Sequence, residues 1–226
     1  MKTLYLLKKL AQLPLFTEND ISKIINKGPK YVKNLLCRLN KGELIKRIER
    51  GKYTVHDDAM VFASYVVWPS YLSLWTALKY YNMTQQQPLA LFILSPTARK
   101  NIKFGNTELI FAKNKHMFGY KKERYSDFDI FIADREKAII DSILFKLPIQ
   151  DINEALDDTE INFQKLADYA KKTENISLMK RIGYLIGTKK GENYGLKAED
   201  SNYIILDYLG KKKGKKDKKW KVIVNL

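Results

Sequence analysis

The residues best suited to chemistry with a partner lie between Pro29 and Lys52. Val32, Leu35, Leu36 and Leu39 recur at i, i+3, i+4 and i+7, the spacing of one buried helical face. The side chains interleaved with them, Lys30, Tyr31, Lys33, Asn34, Arg38 and Lys41, fall on the opposite face. These groups donate hydrogen bonds to phosphate oxygens and base edges, and an asparagine amide can make a paired contact with adenine. Just downstream, Lys46, Arg47, Arg50 and Lys52 surround an Arg50-Gly51 turn, with Glu49 as the one acid among them. Their cations are expected to point outward from and around the turn, where they meet a phosphate backbone or a minor groove. The candidate DNA-binding set is therefore Lys30, Tyr31, Lys33, Asn34, Arg38, Lys46, Arg47, Arg50 and Lys52. A solvated wing is the competing explanation for the hairpin, since exposed strands carry Lys and Arg to discourage edge pairing.

The rest of the chain offers less. Asp127, Asp129, Asp134, Glu136 and Asp141 form the best catalytic candidate, because alternating carboxylates on one strand face can ligate Mg²⁺. A metal nuclease needs a further acid and usually a lysine at the same point, and Glu108 and Lys113 fall on opposite sides of their strand. Asp134 reads better as a helix cap and Glu136 as a first-turn acid favoured by the helix dipole. The glycines are isolated, so there is no phosphate-cradling loop or dinucleotide fingerprint. His56 and His116 have no base or nucleophile nearby in sequence, and the single cysteine, Cys37, sits beside the buried face of its helix and reads as packing. One cysteine permits no intramolecular disulfide, and no Cys/His spacing suits zinc. The expectation is a protein without catalytic residues, metal or cofactor.

These side chains need elements to hold them. A helix over Leu4–Leu13 carries two apolar rows, Leu4, Leu7, Ala11 and Leu6, Leu10, Leu13, and Pro14 ends it. A second helix opens at Thr17, a capping residue followed by the early acids Glu18 and Asp20, and turns Ile21, Ile24 and Ile25 inward. Gly28 breaks the chain, and Pro29 suits the first turn of a third helix, where a missing amide hydrogen costs nothing. Two strands follow, one with Leu44, Ile45 and Ile48 and the other with Tyr53 and Val55, and Gly51 supplies the positive φ of the turn. Three helices and a hairpin in this order describe a winged helix-turn-helix over residues 1–58.

Residues 59–226 read as a second, mixed α/β domain, making the whole chain α+β. Helices are expected twice over 57–82, broken at Trp68-Pro69, with Ser70 capping YLSLWTALKYYN and Tyr71, Leu74, Trp75 and Leu78 forming its packing stripe. Strands are expected in PLALFILS, RKNIKF, TELIFAK and FDIFIA, the middle two joined at Gly105-Asn106. Asp134 caps a helix through REKAIIDSILFKL, and helices are expected at 152–157, 162–172, 175–186 and 198–209 before a last strand in WKVIVNL. The formal charge of +16 divides as +7 over residues 1–60, +2 over 61–210 and +7 over 211–226, so it gathers at the two ends. Clustered cations suit a nucleic-acid partner, because neutralised phosphates release counterions. The lysine run at 211–219 reads as a solvated loop, as an electrostatic arm that adds affinity for DNA, or, third, as a localisation signal. With 45% hydrophobic and 29% charged residues, no long apolar run and no basic-then-apolar leader, the expectation is a cytoplasmic protein with no membrane partner.

Several segments together resemble the AbiEi-type antitoxin family of abortive-infection transcriptional regulators. They are the wing ending RGKYTV, the helix YLSLWTALKYYN, the segment LFILSPTARKNIKFGNTELIFAK, HMFGY after it, IADREKAIIDSI and the closing WKVIVN. They stand in the family's order and cover most of the chain from Tyr31 onward; the lysine run is heavier than the family pattern. The resemblance implies an N-terminal winged helix that binds operator DNA and represses its own operon. It also implies that residues 61–226 oppose a nucleotidyltransferase-like toxin, without a stable complex, in a type IV toxin-antitoxin (viral defence) pair. Two alternatives stand beside this: a metal-dependent nucleic-acid-processing enzyme anchored by the winged helix, and a ligand-responsive repressor.

Overall fold

A computed structural model describes residues 3–226 and shows a mixed α+β protein. The chain packs as two compact units, neither of them contiguous. The first takes the chain up to Leu72 together with Leu89–Lys115 and Lys122–Ile132; the second takes Ser73–Pro88, His116–Lys121 and Ala133–Leu226. Residue 58 therefore lies inside the first unit.

The first unit opens with α1 (Thr3–Leu10), β1 (Phe16–Thr17), α2 (Glu18–Ile25), α3 (Pro29–Lys41), β2 (Lys46–Glu49) and β3 (Lys52–Thr54). Helix α1 ends at Leu10, earlier than the Leu13 that the sequence suggests, and only its Leu6–Leu10 row is buried; Leu4 is 64% exposed. Thr17 caps α2 as expected, in a reciprocal box: its hydroxyl accepts from the Asp20 amide, and its own amide donates to Asp20 Oδ2 at 2.8 Å. Leu6, Leu10, Phe16, Ile21, Val32, Leu36, Leu39 and Ile45 make one core. The strands run antiparallel in the order β1-β3-β2, with a register shift at Ile48 and Gly51 at φ +80° in the turn. At two residues, β1 is too short to leave a pattern in the sequence.

The segment 57–82 does not form two helices. It makes two 3₁₀ turns, Ala59–Val61 and Ala63–Tyr65, then β4 (Tyr71–Leu72) and the short α4 (Trp75–Tyr80). Phe62, Ala63, Ser64, Val66, Ser70 and Tyr71 are all buried, while Trp68 between them is 67% exposed, so burial along the segment does not follow a helical period. Ser70 caps nothing; its hydroxyl donates to the Ser64 carbonyl at 3.0 Å, and the Tyr71 hydroxyl accepts from Asn114 Nδ2 at 2.9 Å. β4 joins β5 (Ala90–Ser95), β6 (Ile102–Phe104), β7 (Thr107–Lys113), β8 (Tyr120–Tyr125) and β9 (Phe128–Ala133) in a six-stranded mixed sheet ordered β6-β7-β5-β4-β9-β8. The Gly105-Asn106 turn joins β6 and β7 antiparallel, as its sequence predicts. The polar edge strand β8, YKKERY, was not expected; its charges protect an open edge.

The second unit holds α4, α5 (Arg135–Leu144), α6 (Ile149–Ala155), α7 (Phe163–Lys172), α8 (Ile176–Lys190) and a small sheet of β10 (Ile204–Ile205), β11 (Lys215–Asp217) and β12 (Val222–Val224), ordered β10-β12-β11. No helix covers 198–209. Asp200 accepts the amide of Asn202 at 2.7 Å, a local bond that competes with helix formation, and the next residues pair with β12 instead. The lysine run is not a free loop either, because β11 within it pairs antiparallel with β12. Helix α8 holds this sheet: Arg181 donates to the carbonyls of Ile205 (2.6 Å) and Leu206 (3.0 Å), and the Trp220 indole lies against Gly183. No helix among the described residues is long and apolar enough to cross a membrane.

Alanine normally stabilises a helix by close to 1 kcal/mol over glycine, but a Cβ at Gly183 collides with the Trp220 ring. Gly183→Ala is expected to lower stability by about 1–3 kcal/mol in chemical denaturation.

Candidate nucleic-acid interface

Helix α3 is built so that its outward face is free. Gly28 precedes it in an extended conformation and Pro29 occupies its first turn. With Val32, Leu36 and Leu39 buried, an advance of about 100° per residue sets Lys30, Asn34, Cys37 and Lys41 along the middle of the opposite face. Tyr31 and Arg38 share one flank of that face and Lys33 takes the other. All of these residues are exposed, Tyr31 by 50%, and the helix contains no acid. Gly28, Pro29, Lys30, Tyr31 and Asn34 together line a shallow hollow at its N-terminal end. Cys37 is exposed rather than packed: it follows Leu36 by one residue, which turns it away from the core.

The hairpin divides its cations into two groups. Arg47 and Arg50 are exposed, and Arg47 Nε donates to the Glu49 carbonyl at 3.2 Å. Lys46 is paired with Asp57, but both side chains are well exposed, so the pair contributes little and exchanges easily. Lys52 does not point outward. Its ammonium donates to the Val66 carbonyl and pairs with Glu49 Oε1 at 3.0 Å. Glu49 Oε2 in turn accepts from Arg99 Nη2 at 2.5 Å, and the Arg99 guanidinium lies 4.3 Å from the Phe111 ring centre. This chain of charges anchors the hairpin to its own unit. Sequence reasoning missed Arg99 because nothing local links it to a glutamate fifty positions away.

The acidic candidates are occupied elsewhere. Asp127 lies in the turn before β9, not on the strand, and Asp129 is paired with Lys122 at 2.6 Å, the contact that holds its carboxyl below the usual range. In the second unit Asp134 caps α5 through the Lys137 amide at 2.8 Å, as expected, and also accepts from Tyr169 (2.9 Å) and Lys165 (3.0 Å). Glu136 binds Lys165 at 2.8 Å and the Asn162 amide at 2.8 Å. Burial works against the charge on Lys165, but the two carboxylates raise its pKa overall. Fully buried Asp141 pairs with Lys137 and accepts from Ser73 at 2.8 Å, while burial pulls the Lys137 pKa down and Asp141 opposes that. Among the described residues no group of three or more His, Cys, Asp or Glu is placed to hold a metal ion. No family model matches the sequence, and no curated protein matches it either.

Two outcomes test these charge networks. Removing the Glu49 carboxylate strands the Arg99 and Lys52 cations, so Glu49→Ala is expected to lower stability by about 1–3 kcal/mol in urea unfolding. Burial first, then the charge of Asp134 and the hydrogen bond to it, push the Tyr169 phenol up to about 12. A phenol raised in the folded state contributes stability that is present below its ordinary value near 10 and is lost as pH rises through about 12. Tyr169→Phe is therefore expected to make stability fall less steeply over that interval, and ¹³Cζ NMR of the unsubstituted protein should show Tyr169 ionising late.

Proposed function

We propose that the protein is a DNA-binding transcriptional regulator in which residues 1–58 act as a winged helix-turn-helix. Helix α3 enters the major groove and the β2–β3 hairpin lies on the adjacent backbone. The observation that carries this reading is the exposed, acid-free face of α3, with Lys30, Tyr31 and Asn34 converging on one hollow at its leading end. Asn34 reads a base edge, Tyr31 packs beside it, and Lys30, Lys33 and Arg38 hold phosphates. Arg47 and Arg50 meet the backbone from the hairpin, and Lys46 joins them by leaving Asp57. Lys52 serves instead to fix the hairpin through Glu49. The residues proposed to touch DNA are thus donors on one helix and one hairpin.

The partner we propose is operator DNA in the cytoplasm, with autorepression of a type IV toxin-antitoxin operon. The antitoxin half of this reading rests on the resemblance of the segments from Tyr31 onward to AbiEi-type proteins. It assigns residues 61–226 the task of opposing a nucleotidyltransferase-like toxin. Because the first packed unit includes strands from 89–132, deleting residues 1–60 cuts through it. The informative variants are therefore substitutions on α3 in the full chain, which should lose repression yet still rescue growth from the toxin.

Asn34→Ala is expected to cost on the order of 1–3 kcal/mol on the operator and to relax preference at one base pair. Arg50→Ala should weaken operator and random duplex alike. Competition binding against a library of mutated operators measures both. An equal loss on every sequence for Asn34→Ala removes Asn34 from base readout.

A further inference from the structure

The small sheet of the second unit presents a surface that the α3 interface does not use. Its register sets Ile205, Ile223 and Lys216 side by side across the three strands. The neighbouring row, Ile204, Val222 and Asp217, points the other way, and Val222 is fully buried. On the outer row Ile205 and Ile223 are half-buried and Lys216 is exposed. Tyr203, two residues before Ile205 and also half-buried, carries the ammonium groups of Lys216 and Lys221 over its ring, at 5.1 and 5.6 Å from the centroid. Residues 211–221 contain eight lysines and a single acid. That acid, Asp217, turns back to accept the Trp220 amide at 2.7 Å, and nearby Asp200 is paired with Lys180 at 2.5 Å. Asp217 thus lies on the row that faces away from this surface, and the charge of Asp200 is offset by Lys180.

We propose that this face binds single-stranded polynucleotide. A base stacks on the Tyr203 ring while Ile205 and Ile223 floor the neighbouring sugar and base, and Lys216 and Lys221 swing on their flexible stems to the flanking phosphates. An open sheet face with an aromatic ring and surrounding cations is suited to unpaired bases, because stacking needs a free π-face and the phosphates follow the groove. Duplex DNA keeps its bases stacked and has no use for the ring. An anionic lipid surface calls for protruding apolar side chains, whereas Tyr203, Ile205 and Ile223 are half-buried. An acidic peptide engages the lysines with or without Tyr203.

The test uses the full-length protein and a fluorescein-labelled oligouridylate of about ten bases, at two salt concentrations. Tyr203→Ala is expected to weaken binding about tenfold while Tyr203→Phe retains it. Lys216→Ala and Lys221→Ala should each flatten the dependence of log affinity on log salt by about 0.7. Asn34→Ala should leave this binding unchanged, which separates the surface from the duplex interface on α3. Ring resonances of Tyr203 should shift upfield when oligouridylate is added to the unsubstituted protein, a readout that does not depend on any variant folding. Unmoved ring resonances overturn the proposal. So does oligouridylate binding that Tyr203→Ala leaves unchanged, or binding of polyglutamate or phosphatidylserine vesicles as tight as that of oligouridylate.

Discussion

Burial of one narrow stripe on α3 governs the first unit. Val32, Leu36 and Leu39 sit almost without solvent contact among Leu6, Leu10, Phe16, Ile21 and Ile45, and each such side chain contributes roughly 1.5–3 kcal/mol when removed from water. The roll of the helix about its axis is thereby fixed. Once those three face inward, Lys30, Asn34 and Lys41 have only one direction left, and the flanks go to Tyr31, Arg38 and Lys33. The outward face is thus a product of the core beneath it, and a polar group introduced at Leu36 would reorient every donor on the helix.

The cations of this protein fall into two populations, and the distinction matters more than the formal charge of +16. Lys137, Lys180 and Arg181 are buried and spend their donors on Asp141, Asp200 and backbone carbonyls. Lys52 and Arg99 share Glu49. None of these is available to a polyanion. Those on α3, at Arg47 and Arg50 and along 211–219 remain exposed. Local counterion release depends on this second population alone.

What the sequence made legible was local. The i, i+3, i+4, i+7 spacing of α3, the Thr17 and Asp134 caps and the Gly105-Asn106 turn all declare themselves within a few residues, and the structure places each where it was read. Elements whose reason lies far along the chain were not legible. β4 and β10 are two residues long and exist because distant strands accept them. Most of residues 59–81 are buried, and a segment buried at successive positions has no periodicity that separates helix from turn. Arg99 belongs to the hairpin only in three dimensions. Of the candidate interface, the α3 face could be read directly, while the inward role of Lys52 waited on a carbonyl at Val66.

The notch at Gly183 has a consequence for the order in which the molecule can be completed. Helix α8 contains the glycine, but the ring that fills the notch belongs to Trp220, well downstream in the chain. During synthesis α8 leaves the ribosome with this apolar cleft open, and the carbonyls that Arg181 will satisfy, those of Ile205 and Leu206, arrive only afterwards. The packing of α8 is therefore completed only by the closing segment of the chain, and loss of that segment would take from α8 both the Trp220 ring and the carbonyls of Ile205 and Leu206.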